Sequence, residues 1–109
     1  VRRPPMVTPL AEYVAFLRSE TAWQQRESAL YPAWLRARTD QHQRQAENLA
    51  RQIIGLLEGP LTTGRAKLAV TMAHKRLEAI DRIADIVSQA KLDRDLALAR
   101  QAKRAGLET

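Results

Sequence analysis

Residues 58–73 read Glu58-Gly59-Pro60-Leu61-Thr62-Thr63-Gly64-Arg65-Ala66-Lys67-Leu68-Ala69-Val70-Thr71-Met72-Ala73, and this stretch decides the fold. A glycine after the last periodic apolar residue, with a proline just beyond it, is a helix stop. Thr62 or Thr63 can accept a hydrogen bond from a free backbone N–H and start a new helix. From Arg65 to Ala105 the chain has neither Pro nor Gly, and Gly106 ends that run. A helix over 63–104 would be a rod of ~60 Å at ~1.5 Å per residue. Two helices joined by a tight turn therefore form the centre of an all-α chain.

Along the later helix, Val70, Ala73, Leu77, Ile80, Ala84 and Val87 make one seam, widened by Met72, Ile83 and Ile86. On the helix before the stop, Leu35, Ala46, Leu49, Ile53 and Leu56 fall in heptad register, with Thr39 and His42 in the two intervening slots. The expected hairpin buries Leu49, Ile53 and Leu56 against Val70 and Leu77. Nothing from Arg38 to Gln45 is apolar. Gln and Arg are good helix formers, which favours one continuous helix. The other option is a loop with Asp40 and Gln43 in a capping box. Beyond Ser88 the apolar phase changes. Leu92 and Leu96 sit about 120–160° round the helix from Ile80, at about 100° per residue. That end either leaves the bundle or packs on something else.

Toward the N-terminus, Arg3-Pro4-Pro5 disfavours helix. Thr8-Pro9 is a start signal, because Pro at the first helical position loses no hydrogen bond. Leu10, Tyr13, Val14, Leu17 and Thr21 follow at helical spacing, and Phe16, Trp23 and Leu30 form a second stripe every seven residues. Pro32 interrupts the pattern and belongs in the first turn of the next helix. The expected architecture is an antiparallel three-helix bundle or helical hairpin, with a kink near Pro32 and a long overhanging C-terminal helix. Residues 9–105 form a single domain with helices at about 9–29, 32–58 and 63–104. Residues 1–8 form a flexible basic arm and 106–109 a tail.

Composition limits the function. Cysteine is absent, which removes disulfides, thiolate nucleophiles and cysteine-based metal sites and fits a reducing compartment such as the cytoplasm. No apolar run approaches the ~20 residues of a membrane span, and no secretory leader is legible at the N-terminus. The net charge of +6 favours encounter with nucleic acid, an anionic surface or an acidic protein.

Motifs for chemistry are missing. Gly59 to Gly64 has the glycine spacing of a phosphate-binding loop, but Arg65 stands where the lysine belongs and Ala66 where the hydroxyl belongs. It reads as a turn. His42 has no second ligand one turn away, and His74 beside Lys75-Arg76 reads as solvent-facing. Glu47 with Arg51 and Glu78 with Arg82 have the order of surface ion pairs. Asp93 and Asp95 point to different sides of a helix. No catalytic, metal or cofactor set emerges, and no small-molecule substrate is implied.

Two function classes remain. The first is a non-enzymatic assembly or adaptor protein, homo-oligomeric in coiled-coil fashion or docking a protein partner, through Leu92, Leu96, Leu98, Trp23 and Trp34. The five aromatics, all within Tyr13–Trp34, are expected chiefly to build a local core around the Pro32 bend, with part of the cluster left as a docking patch. The second is a basic accessory protein gripping nucleic-acid phosphates without reading bases, through Arg2, Arg3, Arg65, Arg76, Arg100, Lys103 and Arg104. No aromatic residue accompanies the strongest basic segments, which argues against a stacking platform for single strands.

Overall fold

The computed structural model describes residues 9–106. They form α1 (Pro9–Ala29), α2 (Ala33–Glu58) and α3 (Thr63–Arg104), with no strand among the described residues. The chain is all-α. The arm that would carry Arg2 and Arg3, and most of the tail, lie outside the described residues.

Local chemistry sets each boundary. Pro9 opens α1 with its φ already helical. α1 closes in a tight turn, with Leu30 N–H donating to the Glu27 carbonyl and Tyr31 N–H to that of Ser28, both at 3.1 Å. Pro32 precedes α2 rather than sitting in its first turn. Its φ of −61° is helical but its ψ of 155° is extended, and its carbonyl accepts from Leu35 and Arg36 N–H at 3.0 Å each. α2 is unbroken through 38–45, and Asp40 pairs with Arg44 one turn on instead of capping a new start.

The α2–α3 turn works differently from its sequence signature. Gly59 has φ −89° and ψ −176°, so it is not the left-handed C-cap that a terminal glycine implies. Arg65 does the capping. Its Nη2 donates to the carbonyls of Gly55 at 3.0 Å and Leu56 at 3.1 Å. A Cβ on Gly59 would lie 2.5 Å from that nitrogen, so the glycine makes room for the guanidinium. Thr62 Oγ1 accepts from Arg65 N–H at 3.2 Å and caps α3. At the far end Gly106 takes φ +70°, where glycine has no steric penalty. Its N–H donates to the Lys103 carbonyl at 3.1 Å.

α2 and α3 form a closely packed antiparallel hairpin, and α1 lies along α2. From α2 the core receives Leu35, Thr39, Ala46, Leu49, Ala50 and Ile53; His42 and Leu56 are half-buried. Buried Thr39 donates its hydroxyl to the Leu35 carbonyl at 3.1 Å, which satisfies a polar group inside an apolar seam. α1 contributes Val14 and Leu17.

The α3 seam departs from expectation by one residue. The side facing α2 carries Ala69, Arg76, Ala79, Ile83 and Ala90, while Val70 and Leu77 are 58% and 54% exposed. Leu49 and Ile53 are buried, but Val70 and Leu77 do not cover them. Alanines on both helices (Ala46 and Ala50 on α2) let the axes approach closely, since interaxial distance follows the side chains at the contact. The larger residues of α3 are rotated outward as a result.

Ion pairs fasten α1. Arg18 pairs with Glu58 of α2, and Arg76 of α3 donates to Glu20 at 2.7 Å. Glu47–Arg51 and Glu78–Arg82 are not among the ion pairs of the described residues; Arg51 turns to Asn48 instead. The 42 residues of α3 exceed the 26 of α2 by sixteen, and the surplus projects as a free rod. The radius of gyration is 19.9 Å, against ~13 Å for a compact chain of this length.

Candidate functional site

Three surfaces stand out, all apolar and all partly open. The first is a groove of about 280 Å³ where α1 and α3 diverge above α2. Trp23, Glu27 and Tyr31 line it on one side, Ile80, Ile83, Ala84 and Val87 on the other, with Gln43 of α2 also lining it. Helical spacing explains the walls. Trp23 lies one heptad beyond Phe16 on α1, and Ile80, Ala84 and Val87 continue the outward seam of Val70, Ala73 and Leu77 on α3. Burial, and then the neighbouring Glu27 carboxylate, push the Tyr31 phenol above its usual 10. Asp81 and Asp85, both exposed, follow the wall residues Ile80 and Ala84 along α3.

The second surface lies around the α1–α2 turn. Leu30, Pro32, Trp34 and Leu35 border Val87, Ala90 and Arg94 of α3 across a recess of about 260 Å³. Arg38 stacks its guanidinium over the Trp34 ring at 5.3 Å. The third is the rod beyond Ala90. There Leu92, Leu96 and Leu98 are 52%, 47% and 54% exposed, with Leu92 and Leu96 one turn apart.

The structure thus separates the residues expected to bind a partner. Trp23 belongs to the groove, Trp34 to the turn recess and the three leucines to the rod; Tyr31 borders both recesses. The aromatics do not build a closed core at the bend. Phe16, Trp23 and Trp34 are each half exposed or more, and Leu30 is 81% exposed. Tyr13 and Phe16 stack with ring centroids 6.4 Å apart on the surface of α1. The reason is geometric. α1 spends its inner face, Val14 and Leu17, on α2, and no close backbone approach to α3 exists among the described residues to cover its second stripe.

The expected phosphate contacts also disperse. Arg76 is 3% exposed and paired with Glu20, so it cannot meet a phosphate in this fold. Arg65 is committed to the α2 carbonyls. Arg100, Lys103 and Arg104 remain exposed at the end of the rod, where cations also complement the helix dipole.

Sequence reasoning missed the Arg76–Glu20 pair, because partners 56 residues apart on different helices leave no local signal. His42 is half-buried with Nδ1 enclosed and unbonded, and His74 is exposed. Among the described residues no three His, Asp or Glu side chains gather to share a metal ion, and no helix is long and apolar enough to cross a membrane. No protein-family model, curated protein or solved structure matches the chain.

Proposed function

We propose that this chain is a non-enzymatic helical assembly protein of the cytoplasm, which self-associates through the apolar faces of α1 and α3. One observation carries the proposal. The monomer buries mostly small residues in its α3 seam and leaves Phe16, Trp23, Val70, Leu77, Leu92 and Leu96 about half exposed. Scattered apolar residues on a surface need no explanation, but stripes of large ones along two neighbouring helices mark an interaction face. Trp and Leu on such a face give up water contact only when another surface covers them. Size-exclusion chromatography with light scattering tests the proposal. A dimer or larger species at tens of micromolar is expected; a strict monomer there overturns it.

The exposed trio Arg100, Lys103 and Arg104 supports the other role, a basic accessory gripping phosphates, less strongly. Three cations at one helix end make a weak electrostatic contact. Duplex DNA titrated across a salt series discriminates the two. Binding that falls steeply with salt would establish phosphate contact, and no binding at low salt would leave assembly alone.

A further inference from the structure

We propose that the groove between α1 and α3 receives the projecting end of α3 from a second copy of this chain, completing a four-helix arrangement. The inference rests on the self-association proposed above and names the two surfaces that meet.

Length is the first support. The outward seam of α3 from Ala73 to Val87 and the projecting segment from Lys91 to Arg104 each measure about 20 Å at about 1.5 Å per residue. The acceptor is as long as the piece left over, and both belong to one helix. Charge is the second. The projecting segment carries Lys91, Arg94, Arg100, Lys103 and Arg104 against Asp93 and Asp95, a net of three positive charges. Glu27 lines the groove, and the exposed Asp81 and Asp85 follow two of its α3 wall residues in the chain; none of the three pairs with a cation among the described residues. In a chain of net charge +6, an apolar trough with unpaired carboxylates on its helices selects a basic amphipathic helix. Exposure is the third. Leu92 and Leu96 are about half exposed in the single chain, and Trp23 at 55% and Leu77 at 54% exposure present the same need on the acceptor side. A helix laid in an apolar groove meets both needs together.

Mixing two disabled variants tests the proposal. One variant carries Leu92→Glu and Leu96→Glu and loses the donor. The other carries Leu77→Glu and Ala84→Glu and loses the acceptor. All four positions are exposed, and circular dichroism verifies that each variant keeps its helices. Each alone is expected to run as a monomer under conditions where the parent chain associates. Mixed, they are expected to form a one-to-one complex, because each still holds the surface the other lacks. Continued association of either variant alone, or two monomers that stay apart on mixing, overturns the proposal while self-association stands. A monomeric parent chain overturns both.

A second pair tests it without apolar substitutions. Asp81→Lys with Asp85→Lys should weaken association about tenfold or more by placing like charges at the contact. Adding Arg100→Glu and Lys103→Glu in the other copy should restore it. No weakening, or weakening without restoration, would remove the charge argument and the seating with it.

Discussion

Arg76 turns a full positive charge toward the inside of the bundle, and its environment predicts an asymmetry between the two halves of its ion pair. The guanidinium is 3% exposed, Glu20 is 23% exposed at 2.7 Å, and Arg76 Nε has no partner. A pair this enclosed gives little net stability, because the attraction is offset by the loss of hydration. Removing one member is different. Glu20→Ala leaves a buried charge uncompensated and should cost about 3 kcal/mol in urea unfolding, the low end for buried pairs because water reaches Glu20. Arg76→Met removes the buried charge, keeps the stem and leaves only Glu20, which water reaches, so it should cost clearly less, about 1 kcal/mol. Equal destabilisation by both would mean that packing, not charge, sets this site. Tyr31 supplies a second test. The folded chain holds its phenol above 10 through burial and Glu27, so the unfolded chain loses that proton first. The Tyr31 contribution to stability is whole below pH 10 and is lost as pH rises through the folded value. Tyr31→Phe should flatten that part of the profile relative to the parent chain. Glu27 is one helical turn from Tyr31 in sequence, but the burial of that phenol and the partner of Arg76 both come from the fold. Thr62 as a cap is legible because its partner lies three residues away; Arg76 reads as one more basic residue in Lys75-Arg76, since Glu20 reaches it only through the fold.

Among the elements, the hairpin turn couples its glycine to an arginine six residues on, and that coupling is measurable. Gly59→Ala adds a methyl where Arg65 Nη2 lies. The backbone at φ −89° accepts alanine without strain, so the expected loss of about 1 kcal/mol comes from the displaced hydrogen bonds to Gly55 and Leu56. Arg65→Ala should cost a similar amount, and the double variant should cost little more than either alone. Additive losses in that cycle would show the two residues acting independently. The same turn shows where pattern reading succeeds and where it stops. Pro9, Pro32 and Pro60 act directly on backbone geometry, so helix starts and stops are readable, whereas the role of Gly59 in making room for Arg65 is not. Which face of α3 turns inward is not. Seam counting follows the largest side chains, Val70 and Leu77. The bundle chose the alanine-lined row one residue earlier, because close approach of two backbones outweighs the burial of single large residues. The candidate groove inherits that choice: its wall is the row that counting assigns to the core. The leucines of the rod were legible, because their change of phase after Ser88 holds whichever row faces α2.

At the scale of the whole molecule, the three helices bury less than their sequence offers. The extents of 66 by 39 by 20 Å describe a slab with a protruding rod, and a chain of this size has a small margin of stability even when compact. A single chain leaves the stripes on α1 and α3 open, while an assembled form would regain burial on both. The thermal midpoint then depends on concentration, since mass action stabilises any folded species that associates only when folded. A tenfold rise in concentration adds about 1.4 kcal/mol per mole of dimer, and the unfolding entropy of two such chains converts this to a rise of about 3 °C. Scanning the chain over two decades of concentration should therefore move the midpoint upward by about 6 °C. The variant carrying Leu92→Glu and Leu96→Glu should melt at one temperature throughout, near the low-concentration limit of the parent chain. Those positions are exposed in the monomer, so their substitution leaves intrinsic stability nearly unchanged and removes only the concentration term. A parent midpoint that stays fixed over the same range would place all the stability of the fold within a single chain.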